Sequence, residues 1–444
     1  MNIEEVKSII DEHGIRTVIV AGTDPCGVLR GKRLTVPYFF KALDGGVHFS
    51  SYLMSTTTMD EVLPGLFDGG VPDVKGVPDL SSFRVASWEE GAAICLMDWH
   101  DVDGTPSPMC PRGQLKRHVA RLREKKLKES FALEFEFYLV PKPIKDIRMG
   151  QWDMPELASR DIHCYSVYEG HFWEPIIGAI RDYFPEEVES CLPEWGQGQF
   201  EINLHRSDAL AMADTTVMFK IAIKQMAARA GMSATFMAKL HEECSGNSGH
   251  IHQSLAHLET GESAFFDAAQ PHCMSPLFQS YVAGLLDVFH SSTLFFAPFV
   301  NSYKRFQPDS FAGVMRTWGI DNRTVSLRVI NEDAAKCRVE HRVGGADLNP
   351  YVAFSTLLGA GLRGVDKELP LEPPHEGNTY SDATAETVPL SLAQAIDAAE
   401  SDPRIREVLS PAMVDNLLRI ARFEAGVFDQ TVTDLERRRY YEMA

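Results

Sequence analysis

The sequence predicts an α+β fold, because strand-like and helix-like segments interleave without the regular strand–helix–strand rhythm of a doubly wound sheet. A second observation is the length, since 444 residues are enough for two or more domains with a large core. A third is the polar loop at residues 100–113, which follows a first part made of short strands and turns. We therefore predict an N-terminal domain over residues 1–105 and a larger domain over residues 106–444.

Apolar spacing predicts the main elements in chain order. Strands are expected at residues 16–22, 94–99 and 132–140. Helices are expected at residues 113–126, 218–231, 276–289 and 349–365 and in the C-terminal stretch. The helix expected at residues 218–231 extends further toward its N-terminus if Ser207 or Asp208 caps it. Residues 141–160 have little periodicity, so we predict a long loop there.

The composition excludes several classes of protein. With 44% hydrophobic and 24% charged residues, the chain resembles an ordinary soluble globular protein. Its formal charge of -19 argues against nucleic-acid or anionic-membrane partners, which require basic surfaces. Apolar runs are too short for a membrane span, and the acidic, amphipathic start does not resemble a signal peptide. The eight cysteines are scattered without a C-x-x-C pair, which favours reduced thiols in the cytoplasm.

The strand at residues 132–140, ALEFEFYLV, carries two carboxylates in an apolar run. Side chains alternate along a strand, so Glu134 and Glu136 share one face. Two like charges on a buried face are costly unless a cation lies between them. The segment is therefore either a strand with one hydrated face or a pair of metal ligands.

Further segments add polar side chains of the same kind. Glu194 and Glu201 flank a glycine-rich turn, His250 and His252 are two residues apart with Ser254 in line, and Glu340 stands between two arginines. Five carboxylates and a histidine on strand faces suit hard divalent cations. Nearby arginines suit phosphate or carboxylate groups, so the combination favours phosphoryl transfer. The chain contains no Walker A, G-x-G-x-x-G or kinase motif.

The order of these motifs resembles the glutamine synthetase superfamily, in particular its γ-glutamyl–amine ligase branch. The matching segments are E-x-E, G-Q-x-E-I, H-x-H-x-S, NSYKR, DNR-x5-R, and R-x-E-x-R followed by ADLNPY, and they run nearly end to end. The segments GVLRGKR and VPDLSSFRV resemble the small N-terminal β-grasp domain of that family. The resemblance implies a large catalytic domain with an antiparallel sheet flanked by helices. It also implies ATP-dependent ligation of L-glutamate to an amine through a γ-glutamyl phosphate, with Mg²⁺ or Mn²⁺ as cofactor. A homo-oligomer is implied as well, a dodecamer of two stacked hexameric rings with active sites between subunits.

The resemblance assigns roles to individual positions. The first metal site is expected at Glu136, Glu194 and Glu201, and the second, which bridges the ATP phosphates, at Glu134, His250 and Glu340. The glutamate contacts are expected at Arg305, Arg342, Gly246 and Ser245, where Ser245 replaces an asparagine of the family. The nucleotide contacts are expected at His252, Ser254, Arg323, Arg328 and Arg338. Catalytic roles are implied for Arg305, Glu340 and Arg342, with Arg342 near the transferred phosphoryl group.

Two departures from the family pattern concern the amine. Glutamine synthetases place a glutamate six residues after the NSYKR arginine and an aspartate in the N-terminal domain of the neighbouring subunit, and both bind ammonium. Here these positions are Phe311 and Ser50. An alkylammonium has a pKa near 10.4 and needs a base and a negative pocket, whereas an arylamine is already neutral. We therefore expect a hydrophobic, aniline-like amine, with Met54, Met59 or Phe306 as further wall residues.

Several alternatives stay open at the level of sequence. A ligase for small alkylamines such as isopropylamine, methylamine or ethanolamine has the same motifs. An ordinary glutamine synthetase requires another base, for which Asp309 and Glu61 are candidates. A different ATP-dependent ligase or a guanidino kinase of related fold would not need the glutamate-binding arginines. A non-catalytic structural member of the family would be expected to lack metal ligands, but all six ligand positions are filled.

Overall fold

The N-terminal part of the protein is a six-stranded sheet, seen in a computed structural model that describes residues 1–150 and 157–443. Its strands are β1 (Thr17–Thr23), β2 (Leu29–Thr35), β3 (Val47–Ser50), β4 (Asp73–Pro78), β5 (Arg84–Val85) and β6 (Ala92–Asp101). They lie in the order β2-β1-β6-β4-β3, with β5 also paired to β6, and only β1 and β6 are parallel. Helices α1 (Ile3–Glu12) and α2 (Val36–Gly45) contribute apolar side chains to its core.

The second sheet has eight strands and forms the centre of the larger part of the protein. Its strands are β7 (Leu127–Val140), β8 (Val188–Pro193), β9 (Gln199–Ser207), β10 (Ser233–Thr235), β11 (Gly249–His257), β12 (Trp318–Ile320), β13 (Leu327–Ile330) and β14 (Arg338–His341). The order is β12-β13-β14-β11-β7-β9-β8, with β10 also paired to β7, and all pairs except β12–β13 are antiparallel.

The larger part of the protein also contains helices, several of which bury the apolar face of this sheet. They are α3 (Pro111–Glu124), α4 (Ile144–Arg148), α5 (Val167–Tyr183), α6 (Ala209–Arg229), α7 (Pro276–Asp287), α8 (Phe289–Ser292), α9 (Pro350–Asp366), α10 (Leu392–Ser401), α11 (Ile405–Val408), α12 (Pro411–Gln430) and α13 (Asp434–Tyr440). Helices α3 and α6 pack against β7, and α9 packs against α3, α6 and α7. The predicted α+β fold, with a small N-terminal β-rich domain and a larger sheet-and-helix domain, is confirmed.

Most elements lie where the apolar spacing placed them, and two details differ. Asp208, rather than Ser207, caps α6, because its carboxylate accepts a hydrogen bond from the amide of Ala211 at 2.9 Å while Ser207 ends β9. The long loop predicted at residues 141–160 is interrupted by the short helix α4, and residues 151–156 of it lie outside the described residues. Among the described helices, none has both the length and the hydrophobicity that a membrane crossing requires.

A buried arginine joins the two parts of the protein. Arg112, in the first turn of α3, binds both carboxylate oxygens of Asp214 on α6 at 2.9 and 2.8 Å. Its remaining nitrogen donates to Asp79 at 2.8 Å and to Asp98 at 3.0 Å, and both aspartates belong to the N-terminal sheet region. Burial opposes the charge of Arg112, but the surrounding carboxylates raise its pKa overall. The ion-pair network holds the two sheets together, while the boundary at residue 105 stays a prediction.

Candidate active site

Strand pairing in the large sheet brings the sequence-predicted ligands together. Glu134 and Glu136 point from β7, where Glu134 is opposite His250 on β11 and Glu136 is opposite Glu201 on β9. Glu340 on β14 is opposite His252 on β11. Because side chains on paired strands share a face when they are in register, this pairing concentrates acidic and imidazole groups on one face of the sheet.

The first cluster consists of Glu134, His250 and Glu340, whose ligand atoms all lie within 4.8 Å of one another. Nδ1 of His250 is 3.5 Å from Glu134 and 3.6 Å from Glu340. The other ring nitrogen of His250 is buried and has no hydrogen-bond partner among the described residues. Two carboxylates and an imidazole in this arrangement fit a divalent cation.

Residues behind the first cluster orient its ligands. Nε2 of His252 lies 3.0 Å from Glu134, and Nε of Arg338 donates to Nδ1 of His252 at 3.2 Å. Burial alone would raise the pKa of Glu134, but hydrogen bonds with His250 and His252 outweigh it and lower that pKa. Glu134 is therefore a carboxylate at neutral pH. His252 contacts the carboxylate of Glu134 and Arg338 contacts His252, while the nucleotide contacts expected for both residues stay a prediction.

The second cluster consists of Glu136, Glu194 and Glu201, again with ligand atoms within 4.8 Å of one another. Burial and the charge of Glu194 raise the pKa of Glu136 to about 7. Burial and the charges of Glu134 and Glu136 raise the pKa of Glu201 to about 9. Three buried carboxylates repel one another unless protons or a cation neutralise them. This donor set of oxygens also fits a divalent cation.

Neutral side chains that the sequence reading did not single out position the second cluster. Nε2 of Gln199 donates to Glu136 at 3.1 Å, and the amide of Ser248 donates to Glu136 at 2.5 Å. Nδ2 of Asn203 donates to Glu201 at 2.9 Å. Gln199 and Asn203 lie two residues before and after Glu201 on the same strand face, so the period of two was the signal that would have found them.

Arginines surround the first cluster. Arg328 donates to Glu340 at 3.0 Å, and Arg342 forms a second ion pair with Glu340. The exposed Arg323 makes no ion pair among the described residues, and its positive charge helps to lower the pKa of Glu194, which burial raises overall. Guanidinium groups at these positions suit the binding of phosphate oxygens.

A cavity of 1340 Å³ opens onto this face of the sheet. Most sequence-predicted site residues line it, namely Glu134, Glu136, Glu194, Glu201, Ser245, Gly246, His250, His252, Ser254, Phe311, Arg323, Arg328, Arg338 and Arg342. Glu340 and Arg305 are buried directly behind it. Ser50 lies in β3 of the N-terminal sheet and is not among the lining residues of its own chain.

Arg305 has a more buried position than its predicted contact with glutamate suggests. Its guanidinium donates to the carbonyls of Val343 at 2.8 Å and Arg342 at 3.0 Å and to the hydroxyl of Ser248 at 3.3 Å. A side chain at Gly246 would place its Cβ 2.5 Å from Cγ of Arg305, so glycine is required there by close approach. Arg305 therefore supports the wall that carries Gly246, and direct contact with glutamate stays a prediction.

Phe311 lies on an exposed loop at the edge of the cavity. The expected wall residues Met54 and Phe306 are buried in the hydrophobic cores, so they do not line this cavity. Met59 is exposed in the N-terminal region, also away from the lining residues. Asp309, two residues before Phe311, does line the cavity. Glu61 accepts a hydrogen bond from the hydroxyl of Thr57 at 2.8 Å and lies outside the cavity of its own chain.

Three curated relatives are similar to the chain over most of their length. Glutamate–isopropylamine ligase from Pseudomonas sp. is 34% identical, over 99% of this chain and 98% of the relative. Type-1 glutamine synthetase 2 of Dictyostelium discoideum is 34% identical, over 96% of this chain and 84% of the relative. γ-Glutamylethanolamide synthetase of Streptomyces coelicolor is 34% identical, over 100% of this chain and 96% of the relative. These relatives therefore include two ligases named for organic amines as well as a glutamine synthetase.

Solved structures and a family model agree with this similarity. The GmaS/ADP complex superimposes with a TM-score of 0.85 at 26% identity, over 98% of this chain and 99% of the other. The family model described as the glutamine synthetase catalytic domain matches residues 108–440. The chain therefore belongs to the glutamine synthetase family and is a carbon–nitrogen ligase of that ATP-dependent superfamily.

Proposed function

We propose that the protein joins the γ-carboxylate of L-glutamate to a hydrophobic or aromatic amine through a γ-glutamyl phosphate, with release of ADP and phosphate. The observation that supports this most directly is a single cavity with two carboxylate-rich clusters and several arginines at its base and Phe311 at its edge. The base suits phosphoryl transfer, and the edge suits an apolar amine.

The side chains suggest how the reaction is assisted. Divalent cations held by the two clusters, Mg²⁺ or Mn²⁺, would neutralise the negative charge of the ATP phosphates and of the transferred group. Arg323, Arg328 and Arg342 are placed to stabilise the same charge as it shifts toward the glutamate carboxylate. Arg338 and Ser254 line the cavity where the nucleotide is expected. The amine then attacks the γ-glutamyl phosphate and phosphate leaves.

The amine must be neutral to attack, which decides what the pocket has to supply. An ammonium or alkylammonium needs a base, whereas an aniline-like amine is already neutral at pH 7. Phe311 offers an apolar ring where the family carries a carboxylate, so it favours an amine with an apolar carbon group. The similarity to ligases named for isopropylamine and ethanolamine supports an organic amine rather than ammonia.

The proposal is tested by measuring glutamate-dependent phosphate release from ATP across ammonium, methylamine, isopropylamine, ethanolamine, putrescine and aniline, with product mass as confirmation. We expect aniline or isopropylamine to give the highest kcat/KM. In Phe311→Glu, the ratio of apolar-amine to ammonium kcat/KM should fall by roughly 10- to 200-fold, because a carboxylate replaces an apolar contact.

The control for this panel is Phe172→Glu, an exposed aromatic residue of α5 outside the cavity lining, which should leave the ratio unchanged. A wild-type enzyme that prefers ammonium would contradict the proposal and favour an ordinary glutamine synthetase. The position of Asp309 supports an ordinary glutamine synthetase as the second candidate function, because its carboxylate lines the cavity and is available as a base.

A non-catalytic role is disfavoured by the filled ligand positions, which form two compact clusters. Following the family, we further propose a cytoplasmic homododecamer of two stacked hexameric rings. In that assembly Ser50 would belong to the active site of a neighbouring subunit, consistent with the fact that it does not line the cavity of its own chain. Size-exclusion chromatography with light scattering measures the assembly directly.

We predict that stabilisation by Mg²⁺ increases as the pH rises from 7 to 8. The pKa of Glu201 is raised to about 9, so between pH 7 and 8 the metal-free folded protein holds a proton that the unfolded chain has lost. The contribution of this group to the free energy of unfolding of the metal-free protein therefore falls as the pH rises. A bound cation displaces that proton, so the gain from Mg²⁺ grows by up to about 1.4 kcal/mol per pH unit. Urea unfolding with Mg²⁺ and with EDTA at both pH values measures the difference.

Comparison with and without Mg²⁺ at each pH cancels titrating groups far from the site. Glu201→Gln removes the titrating carboxyl group and should lose both most of the Mg²⁺ stabilisation and its pH dependence. Glu259→Gln, an exposed residue paired with Lys126 at 2.9 Å, serves as the control and should behave like the wild type. Equal Mg²⁺ stabilisation at pH 7 and pH 8 in the wild type would contradict the prediction.

A further inference from the structure

Two aromatic side chains besides Phe311 border the same cavity without being held in a core. Tyr165, Trp195 and Phe311 all line the cavity, and they are 68%, 60% and 53% exposed. Large aromatic side chains are normally buried well beyond this, so core packing does not explain their positions. Exposed aromatic rings grouped around one concave site are instead typical of ligand contacts.

The backbone at two of these residues is strained. Tyr165 has φ of 59° and Phe311 has φ of 55°, in the left-handed region that bulky residues rarely adopt. Such strain persists only where surrounding contacts hold it, and it is concentrated at functional sites. Both residues line the cavity from these strained positions, which is consistent with a binding role.

Specific contacts hold the two segments in place. The amide of Tyr165 donates to the carbonyl of Pro193 at 3.0 Å, directly before Glu194 and Trp195 in the chain. The carbonyl of Phe311 accepts from Arg342 at 3.3 Å, and the hydroxyl of Tyr380 donates to the next carbonyl, of Ala312, at 2.9 Å. Tyr165 is thus attached to the strand end that precedes Glu194 of the second cluster, and Phe311 is attached to Arg342, which pairs with Glu340 of the first cluster.

The position of Tyr165 relative to the chemistry is indicated by its neighbours. Sγ of Cys164, the preceding residue, lies 3.9 Å from a carboxylate oxygen of Glu194. Burial of its hydroxyl, followed by the negative charges of Glu194 and Glu201, raises the pKa of Tyr165. Tyr165 and Trp195 therefore stand next to the second cluster, while Phe311 stands beside Arg342.

We propose that Tyr165 and Trp195, together with Phe311, bind the carbon group of the amine and select branched alkyl or aryl amines over ammonium. This assignment rests on the proposed ligase function. A flat or branched apolar group would cover the exposed rings, which ammonium cannot do, so the rings discriminate by apolar contact. None of the three side chains takes part in bond formation, and their contribution is to amine binding.

The test compares Trp195→Ala and Tyr165→Ala with the wild type, using isopropylamine, aniline and ammonium as amines. A parallel assay with hydroxylamine, which has no carbon group, measures γ-glutamyl hydroxamate and reports on the phosphoryl chemistry alone. We expect kcat/KM for isopropylamine and aniline to fall roughly 10- to 200-fold, mainly through KM for the amine. Hydroxamate formation and KM for glutamate should change by only a few-fold.

Matched controls keep the interpretation specific. Tyr168→Ala and Phe172→Ala remove aromatic residues of α5 that are 74% and 56% exposed and lie outside the cavity lining, and they should keep the wild-type preference. Trp195→Phe and Tyr165→Phe retain an aromatic ring and should keep most of the wild-type preference for apolar amines. Thermal unfolding of each variant identifies any loss of the fold.

The possible failures are distinguishable. A wild type that prefers ammonium overturns the proposed function itself. A wild type that prefers an apolar amine, with alanine variants that keep that preference, overturns the assignment of Tyr165 and Trp195 alone. Alanine variants that lose hydroxamate formation to the same extent as amine ligation overturn it as well, because the residues would then support the site as a whole.

Discussion

Replacing Glu340 by glutamine should lower glutamate- and amine-dependent phosphate release from ATP by ~10³-fold. The carboxylate of Glu340 is fully buried and lies 3.6 Å from His250 and 3.0 Å from Arg328, and it also pairs with Arg342. Glutamine removes the negative charge that the two arginines and a bound cation require. Steady-state phosphate release at saturating ATP, glutamate and amine measures the loss.

Two comparisons separate this effect from simple unfolding. Glu259→Gln changes the same chemistry at an exposed ion pair and should retain wild-type activity. Removing one partner of a buried ion pair costs about 3–5 kcal/mol, so urea unfolding of Glu340→Gln establishes the fraction that is folded. A folded Glu340→Gln protein with activity within a few-fold of the wild type would show that the first cluster does not serve the reaction.

Arg342→Lys should lower kcat by ~10²–10³-fold, although the positive charge is kept. Arg342 donates to Glu340 and, from its other terminal nitrogen, to the carbonyl of Phe311 at 3.3 Å. Lysine carries its three donors on a single nitrogen and cannot span the two acceptors that Arg342 reaches with separate nitrogens. We therefore expect KM for the amine to rise as well, because the loop that carries Phe311 loses an anchor. Steady-state kinetics with the preferred amine and with hydroxylamine measures both effects.

Arg316→Lys is the matched control for this substitution, since Arg316 pairs with Glu372 at 2.9 Å outside the cavity. It should leave kcat and both KM values near those of the wild type. If Arg342→Lys kept full activity, a single positive charge would be sufficient at this position, and the two-sided contact would have no catalytic importance.

The shared strand faces of the ligands were predictable from sequence because strand geometry is regular. An E-x-E pair places Glu134 and Glu136 on one face of β7, and antiparallel neighbours then set His250 and Glu201 beside them. The resemblance to the glutamine synthetase family divided the six ligand positions into two groups, and the structure forms the same two groups. Cation binding at them is still a prediction.

The edge of the cavity was not predictable in the same way. Tyr165 and Phe311 reach it through left-handed backbone conformations, which no hydrophobic period encodes. Trp195 lies in a turn, where side-chain direction depends on the turn geometry rather than on an alternation rule. Met54 and Phe306 were expected there because of their apolar character, but apolar side chains are more often buried, as these are.

The double contact of Arg342 also has a thermodynamic consequence. One guanidinium holds both the carboxylate of Glu340, at the proposed phosphate end, and the main chain of Phe311, at the proposed amine end. In the proposed reaction, a phosphate that draws this group toward itself would alter the loop that is proposed to receive the amine. By reciprocity, the amine then changes phosphate affinity by the same factor as phosphate changes amine affinity. The coupling between the two substrates is thereby expected to depend on a single side chain.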